Sequence, residues 1–146
     1  MSKSNTFYND ILQLIFNNVD IADIGDAGGL QNSATAGSLY VALHTADPGE
    51  AGTATTSESA YGSYARQAVA RSAGGWTVSG NSATNTALIQ FPECTGGSET
   101  ITHVSITTAS SGTSKILYSG ALSASRSVSS GIQPQFAANA LTVTED

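Results

Sequence analysis

Residues 38–44 read SLYVALH. Leu39, Val41 and Leu43 alternate with Tyr40, Ala42 and His44, the period of an extended strand, and apolar groups on both registers predict cover on both faces. This stretch decides the fold because the same period continues downstream. Residues 64–71 alternate with small side chains, and Gly74-Gly75 turns the chain into Trp76-Thr77-Val78. Gly80-Asn81 is a second turn signal, and residues 86–91 place Ala87, Ile89 and Phe91 on one face before Pro92 stops the run. Residues 100–108 are rich in β-branched side chains, with Val104 and Ile106 as the inward pair. Residues 115–122 and 126–129 read as further strands, Pro134 puts residues 132–136 at an edge, and Leu141 and Val143 mark a last strand. Eight or nine short strands with no helical period after residue 25 predict a mainly β chain, a single β-sandwich or jelly-roll-like domain. Its expected core is Leu39, Val41, Leu43, Ile89, Phe91, Val104, Ile106, Leu117, Leu141 and Val143.

Upstream the period changes. Tyr8, Ile11, Leu12, Ile15, Phe16 and Val19 recur at helical spacing and form one apolar stripe. Asn5 or Thr6 is the expected N-cap, because either side chain can accept from a free backbone N–H of the first turn. The stripe fades at Asp20. Residues 25–38, GDAGGLQNSATAGS, read as a flexible connector. The chain therefore divides into an N-terminal helix or arm over 1–25, a connector over 26–38 and a β-sandwich over 39–146. The stripe has two readings. It packs into the protein's own core, or it docks on a neighbouring subunit. In the second, Tyr8, Ile11, Leu12, Ile15, Phe16 and Val19 are partner-binding residues. The 46–63 loop, with a turn at Pro48-Gly49, is long for so small a domain and is the other expected contact surface, through Asp47, Pro48 and Tyr61.

The chain has 146 residues, and folding at that size buries roughly two-thirds of the unfolded surface, enough for a core without disulfides or metals. Only 11% of residues are charged, with a formal net charge of −6. Ser and Thr fill about a quarter of the chain. A surface so poor in charge suits protein–protein contact, since little ionic hydration is lost on association. An acidic field repels phosphate backbones and anionic lipid, so neither nucleic acid nor membrane is an expected partner. The single cysteine, Cys94, cannot close an internal disulfide. The apolar run over residues 11–16 is too short to span a bilayer, and the amino end lacks a secretory pattern. The expectation is a soluble protein working where it is made or in an assembly built there.

Reactive chemistry is sparse. The two histidines, His44 and His103, fall in strands, and no serine sits in a nucleophile elbow. A Ser-His-Asp set built from His44 and Asp47 would be a coincidence of serine abundance. Asp20, Asp23 and Asp26 lack the alternate-residue spacing and distal glutamate of a calcium loop, and read as a solvated acidic face. Asp47 and Glu58 flank a loop without a demonstrable cleft. Cys94 has no basic neighbour in sequence and reads as an inert thiol. Trp76 is a core or subunit-interface plug before it is a ligand-stacking platform. Arg66 and Arg71 are five apart, hence on opposite sides of a strand; Arg66 is a candidate to reach an acidic group of a partner chain. No enzyme, cofactor or metal is expected.

The stretch over residues 38–71, followed by Gly75-Trp76 and Ile89-Gln90-Phe91-Pro92, resembles a family of small bacteriophage virion proteins. The resemblance is carried by LYVALHTADPG, a threonine-rich loop, the Y-x-R-x-x-V run at Tyr64, Arg66 and Val69, the F-P pair, the threonine-rich residues 100–108, and Leu117-Tyr118-Ser119-Gly120-Ala121-Leu122. It covers residues 38 to 144 and leaves the helix outside. Members are commonly labelled tail-fibre proteins, and they are similar in kind to head decoration or cement proteins. The resemblance implies a virion structural protein made in the host cytoplasm and brings no catalytic residue. A host-reaching fibre is normally elongated and repetitive, whereas this chain is short, without repeats, and carries a separable helix. The reading that follows is a capsid decoration protein on the capsid exterior. It binds the major capsid protein and itself as a homo-dimer or homo-trimer. A tail-fibre or tail-tip protein is the alternative, and a carbohydrate-binding module a more distant one.

Overall fold

The computed structural model describes residues 1–25 and 28–146. Asp26, the last of the three regularly spaced acids, lies outside the described residues. Among the described residues one helix and nine strands follow in chain order: α1 (Asn5–Asn17), β1 (Ser38–His44), β2 (Gln67–Ala70), β3 (Trp76–Ser79), β4 (Ser82–Asn85), β5 (Ile89–Gln90), β6 (Ser98–Thr107), β7 (Ile116–Ser129), β8 (Gln135–Phe136) and β9 (Thr142–Thr144). The strands form sheets ordered β2-β1-β6-β7, β3-β4-β9 and β5-β8. The chain is mainly β with an N-terminal helix, consistent with the expected sandwich class. It divides into two compact units, the first made of Met1–Ser38, Val69–Ile89 and Phe136–Asp146, the second of Leu39–Ala68 and Gln90–Gln135.

In the first unit α1 packs on β3 and β4. Its cap is Ser4, one residue before the expected Asn5, with the hydroxyl accepting from the Phe7 N–H at 3.3 Å. Asn18 ends the helix in the left-handed region, at φ 58°, and its N–H donates to the Gln13 carbonyl. Leu12 and Phe16 are completely buried. Phe16 meets Trp76 edge-on, ring centroids 4.8 Å apart. Burying two such side chains contributes on the order of 1.5–3 kcal/mol each, which anchors the helix where it lies. Antiparallel β3 and β4 are joined by Gly80-Asn81, with Ser79 opposite Ser82 and Gly80 at φ 59°. Strand β9 pairs antiparallel with β4, Val143 opposite Ala83.

The second unit is built on β1 and β6. Val41 opposes Ile106 and Leu43 opposes Val104, so one face of the pair is aliphatic. On the other face Ala42 opposes Ser105 and His44 opposes His103. Both faces are covered along Val41 to His44, as the alternating apolar pattern predicts. Strand β7 is longer than either segment expected for it, because residues 115–122 and 126–129 join into one edge strand. It holds more residues than β6 between the pairs Ile101–Arg126 and His103–Ala121, a bulge that bends the sheet's edge. A second shift leaves Leu117 between the paired Ile116 and Tyr118, and it is half-buried rather than the core residue expected. The other nine expected core residues are buried.

Candidate functional site

The residues carrying the sequence signature converge beneath the 46–63 loop. This loop does not hang free. Residues 57–59 fold back antiparallel on the end of β1: the Thr45 N–H donates to the Ser57 carbonyl at 2.9 Å, and the Ser59 N–H to the Leu43 carbonyl at 2.8 Å. At its start, the Asp47 carboxylate accepts from the Gly49 N–H at 2.9 Å, which shapes the turn expected at Pro48. Farther on, the Ala54 N–H reaches the Ser114 carbonyl at 3.0 Å, and Ala54 is fully buried.

Arg66 is the centre of this arrangement. Its guanidinium forms a two-pronged pair with Glu58, Nε to Oε1 at 2.6 Å and the second prong to Oε2 at 2.8 Å. The remaining donors go to the Ala109 carbonyl at 2.9 Å, the Gly112 carbonyl at 2.8 Å and the Ser114 hydroxyl at 3.2 Å. All five N–H donors of the planar fork are therefore placed. Arg66 ties the folded-back loop to the turn between β6 and β7, and the Glu58 carboxylate beside it holds the guanidinium firmly protonated. Tyr64 completes the cluster. Its hydroxyl donates to Glu58 at 3.2 Å and accepts from the Leu43 N–H at 3.0 Å. Burial raises the Tyr64 phenol well above its ordinary range.

Aromatic packing supports the cluster. Tyr61 meets Tyr64 edge-on at 5.4 Å, and Tyr64 stacks on Phe91 at 6.2 Å. The Tyr61 hydroxyl donates to the Pro92 carbonyl at 2.9 Å, and burial pushes its pKa up to about 12. The F-P pair of the signature thus anchors the loop's far end. Glu99 on β6 accepts from the Ser59 hydroxyl and from the Ala60 N–H. His44, 0% exposed, has Nδ1 2.9 Å from the Thr56 carbonyl and Nε2 2.7 Å from the Ser105 hydroxyl. A serine–histidine pair is present, and both residues are buried. Among the described residues no group of three or more His, Cys, Asp or Glu side chains is placed to hold a metal ion.

A second set of contacts holds α1. Arg71 donates to the helix's last-turn carbonyls, Leu14 at 2.6 Å and Ile15 at 2.8 Å, and to the Ala36 carbonyl at 3.1 Å. A cation there also suits the negative end of the helix dipole. At the other end, Asn9 donates to the Gly80 carbonyl, and Lys3 pairs with Glu145 at 2.7 Å while lying over the Tyr8 ring.

The expected contact residues divide by exposure. Leu12, Phe16, Pro48, Tyr61 and Arg66 are buried. Tyr8, Ile11 and Ile15 are partly covered, while Val19 and Asp47 are exposed. Arg66, expected at the surface, spends its charge internally, on Glu58. Trp76 is 0% exposed and cannot be a stacking platform for sugar. Residues the sequence reading passed over carry much of the architecture. Asn85, fully buried, donates to the Ala87 and Ala137 carbonyls and accepts from the Leu141 N–H. Its place on a strand of small polar residues gave no signal of this. Glu58 and Tyr64 could have been found as acid and phenol within eight positions of Arg66.

The family model described as podophage GP4 fiber I protein gp80 matches residues 2–144. The chain belongs to that gp80 fibre-protein family. The match takes in α1, so the helix is part of the family's body rather than an addition outside it. No curated protein matches the chain. Membership makes this a bacteriophage structural protein, and a virion location follows from that class. Among the described residues no helix is long and apolar enough to cross a membrane.

Proposed function

We propose that this gp80-family chain is a structural component of the phage fibre or tail apparatus, acting by assembly and without chemistry of its own. The observation that supports this most is the match to a fibre-protein family over residues 2–144. The signature residues are consistent with it, since His44, Glu58, Tyr64 and Arg66 are spent on one another and on backbone carbonyls. Groups so occupied stiffen a building block and leave nothing reactive at the surface.

The capsid-decoration reading drew its strength from a separable helical arm. Arg71 and Trp76 hold that helix in its own unit, which weakens one of the physical reasons for preferring the head. On the fibre reading the partner is another fibre or tail protein, or further copies of this chain, rather than the major capsid protein. The low charge favours such contacts, because small hydroxyl and methyl groups lose little hydration on association. Physical separation of disrupted virions into heads and tails, followed by peptide detection in each, tests the proposal. Recovery with tails or detached fibres supports it. Recovery with heads alone restores the decoration reading.

A further inference from the structure

We propose that His44 is an acid-sensitive latch on the folded-back loop, and that protonation of its ring releases residues 53–60. The latch is a matter of hydrogen-bond direction. The Thr56 carbonyl can only accept, so Nδ1 of His44 carries the hydrogen and donates across 2.9 Å. In the neutral ring Nε2 then keeps its lone pair and accepts from the Ser105 hydroxyl across 2.7 Å. Each nitrogen has one role, and both partners are fixed to other elements, Thr56 to the loop and Ser105 to β6.

A proton arriving from solvent must add to Nε2. That turns Nε2 into a donor facing an oxygen whose own hydrogen pointed at it, so the Ser105 hydroxyl loses its acceptor. It also creates a cation in a completely buried position. The surroundings divide as follows. From the folded-back loop the Thr56 carbonyl, which accepts from Nδ1, favours the imidazolium most, and the Glu58 carboxylate adds to it, although both carboxylate oxygens are already bound by Arg66. The Arg66 guanidinium opposes it, as does His103, directly across the β1–β6 pair. Burial weighs most heavily and holds the His44 ring below the ordinary histidine range. When the loop lifts, the ring returns to water and to an unperturbed pKa of about 6.5.

The open form therefore binds the proton more tightly than the closed form. Closure is at full strength above about pH 6.5 and is lost as pH falls from there toward the depressed folded value, where the loss levels off. One proton linked to one opening raises the open fraction up to about tenfold per pH unit across that window.

Native-state amide exchange of the full chain over that window, corrected for intrinsic exchange, reads the latch at Ala54, Thr56 and Ser59. The expected result is protection falling toward tenfold per pH unit at these amides, retained in His103→Gln and abolished in His44→Asn, whose amide can still donate to Thr56. A flat wild-type profile, or an unchanged slope in His44→Asn, overturns the latch. Should His44→Asn fail to fold, the imidazole nitrogen signals of the wild-type protein decide. An Nε2 that stays unprotonated well below pH 6.5, beside a protonated Nδ1, upholds the latch. Titration of His44 at or above 6.5, or hydrogen on Nε2 in the neutral ring, overturns it.

Discussion

Replacing Arg66 with methionine tests the clamp where its energetics are largest. The side chain is 2% exposed and Glu58 opposite it 16%. Arg66→Met keeps roughly the same volume but leaves the Glu58 carboxylate without its cation and takes a donor from three oxygens, those of Ala109, Gly112 and Ser114. Removing one partner of a buried ion pair costs about 3–5 kcal/mol, mostly because the surviving charge is left unpaired. Glu58 retains the Tyr64 hydroxyl, which places the expected loss at the lower end, about 3 kcal/mol. At about 1.4 kcal/mol per factor of ten, amides that open with the loop should exchange about a hundredfold faster. Those of Thr45, Ala54 and Ser59 report this directly, because their acceptors are the carbonyls the clamp holds in place. The double variant Arg66→Met with Glu58→Leu should lose much less than the sum of the single losses, since no charge remains buried. Arg66→Lys should behave more like Arg66→Met than like wild type, as a point charge cannot serve five directions. If Arg66→Met changes exchange at these amides by less than threefold, the cluster is not what holds the loop.

Four further substitutions, at three positions, probe the first unit. Among the described residues the buried Trp76 Nε1–H has no hydrogen-bond partner, so Trp76→Phe, which deletes the orphan donor along with some packing, should leave stability within about 1 kcal/mol of wild type, whereas Trp76→Ala should cost about 3–5 kcal/mol by urea unfolding. Asn85→Ala removes one acceptor and two donor bonds at a fully buried position, and should cost about 3 kcal/mol, read as a fall in denaturation midpoint at constant slope. Arg71→Ala uncaps the last turn of α1 and should lower stability by about 1–2 kcal/mol, with exchange rising first at the helix's C-terminal amides.

Much of the second unit is legible in sequence because its strands alternate strongly. SLYVALH and the threonine-rich β6 announce themselves, and Val104 and Ile106 turn inward as their spacing requires. The β3–β4 turn is equally plain, since Gly80-Asn81 sits between two short runs. Strand β4 is not legible. Its sequence, SATN, has no apolar alternation, and its place depends on Asn85 bonding to segments fifty residues away. The predicted strand over 86–91 shrinks to Ile89–Gln90 because the Thr86 N–H is taken by the Gly75 carbonyl. The signature residues were visible but their roles were not. An arginine beside a threonine-rich loop suggests a surface contact until its five acceptors are placed, three of them on segments remote in sequence. The helix was ambiguous for the same reason, as an amphipathic stripe does not say whose core it enters.

On the proposed function this chain is a building block of the phage's fibre or tail apparatus. Gold-labelled antibody against the folded protein, imaged on intact virions, tests it most directly. The account predicts beads on the fibres or tail and none over the head. Beads distributed over the capsid shell, with bare fibres, would contradict it.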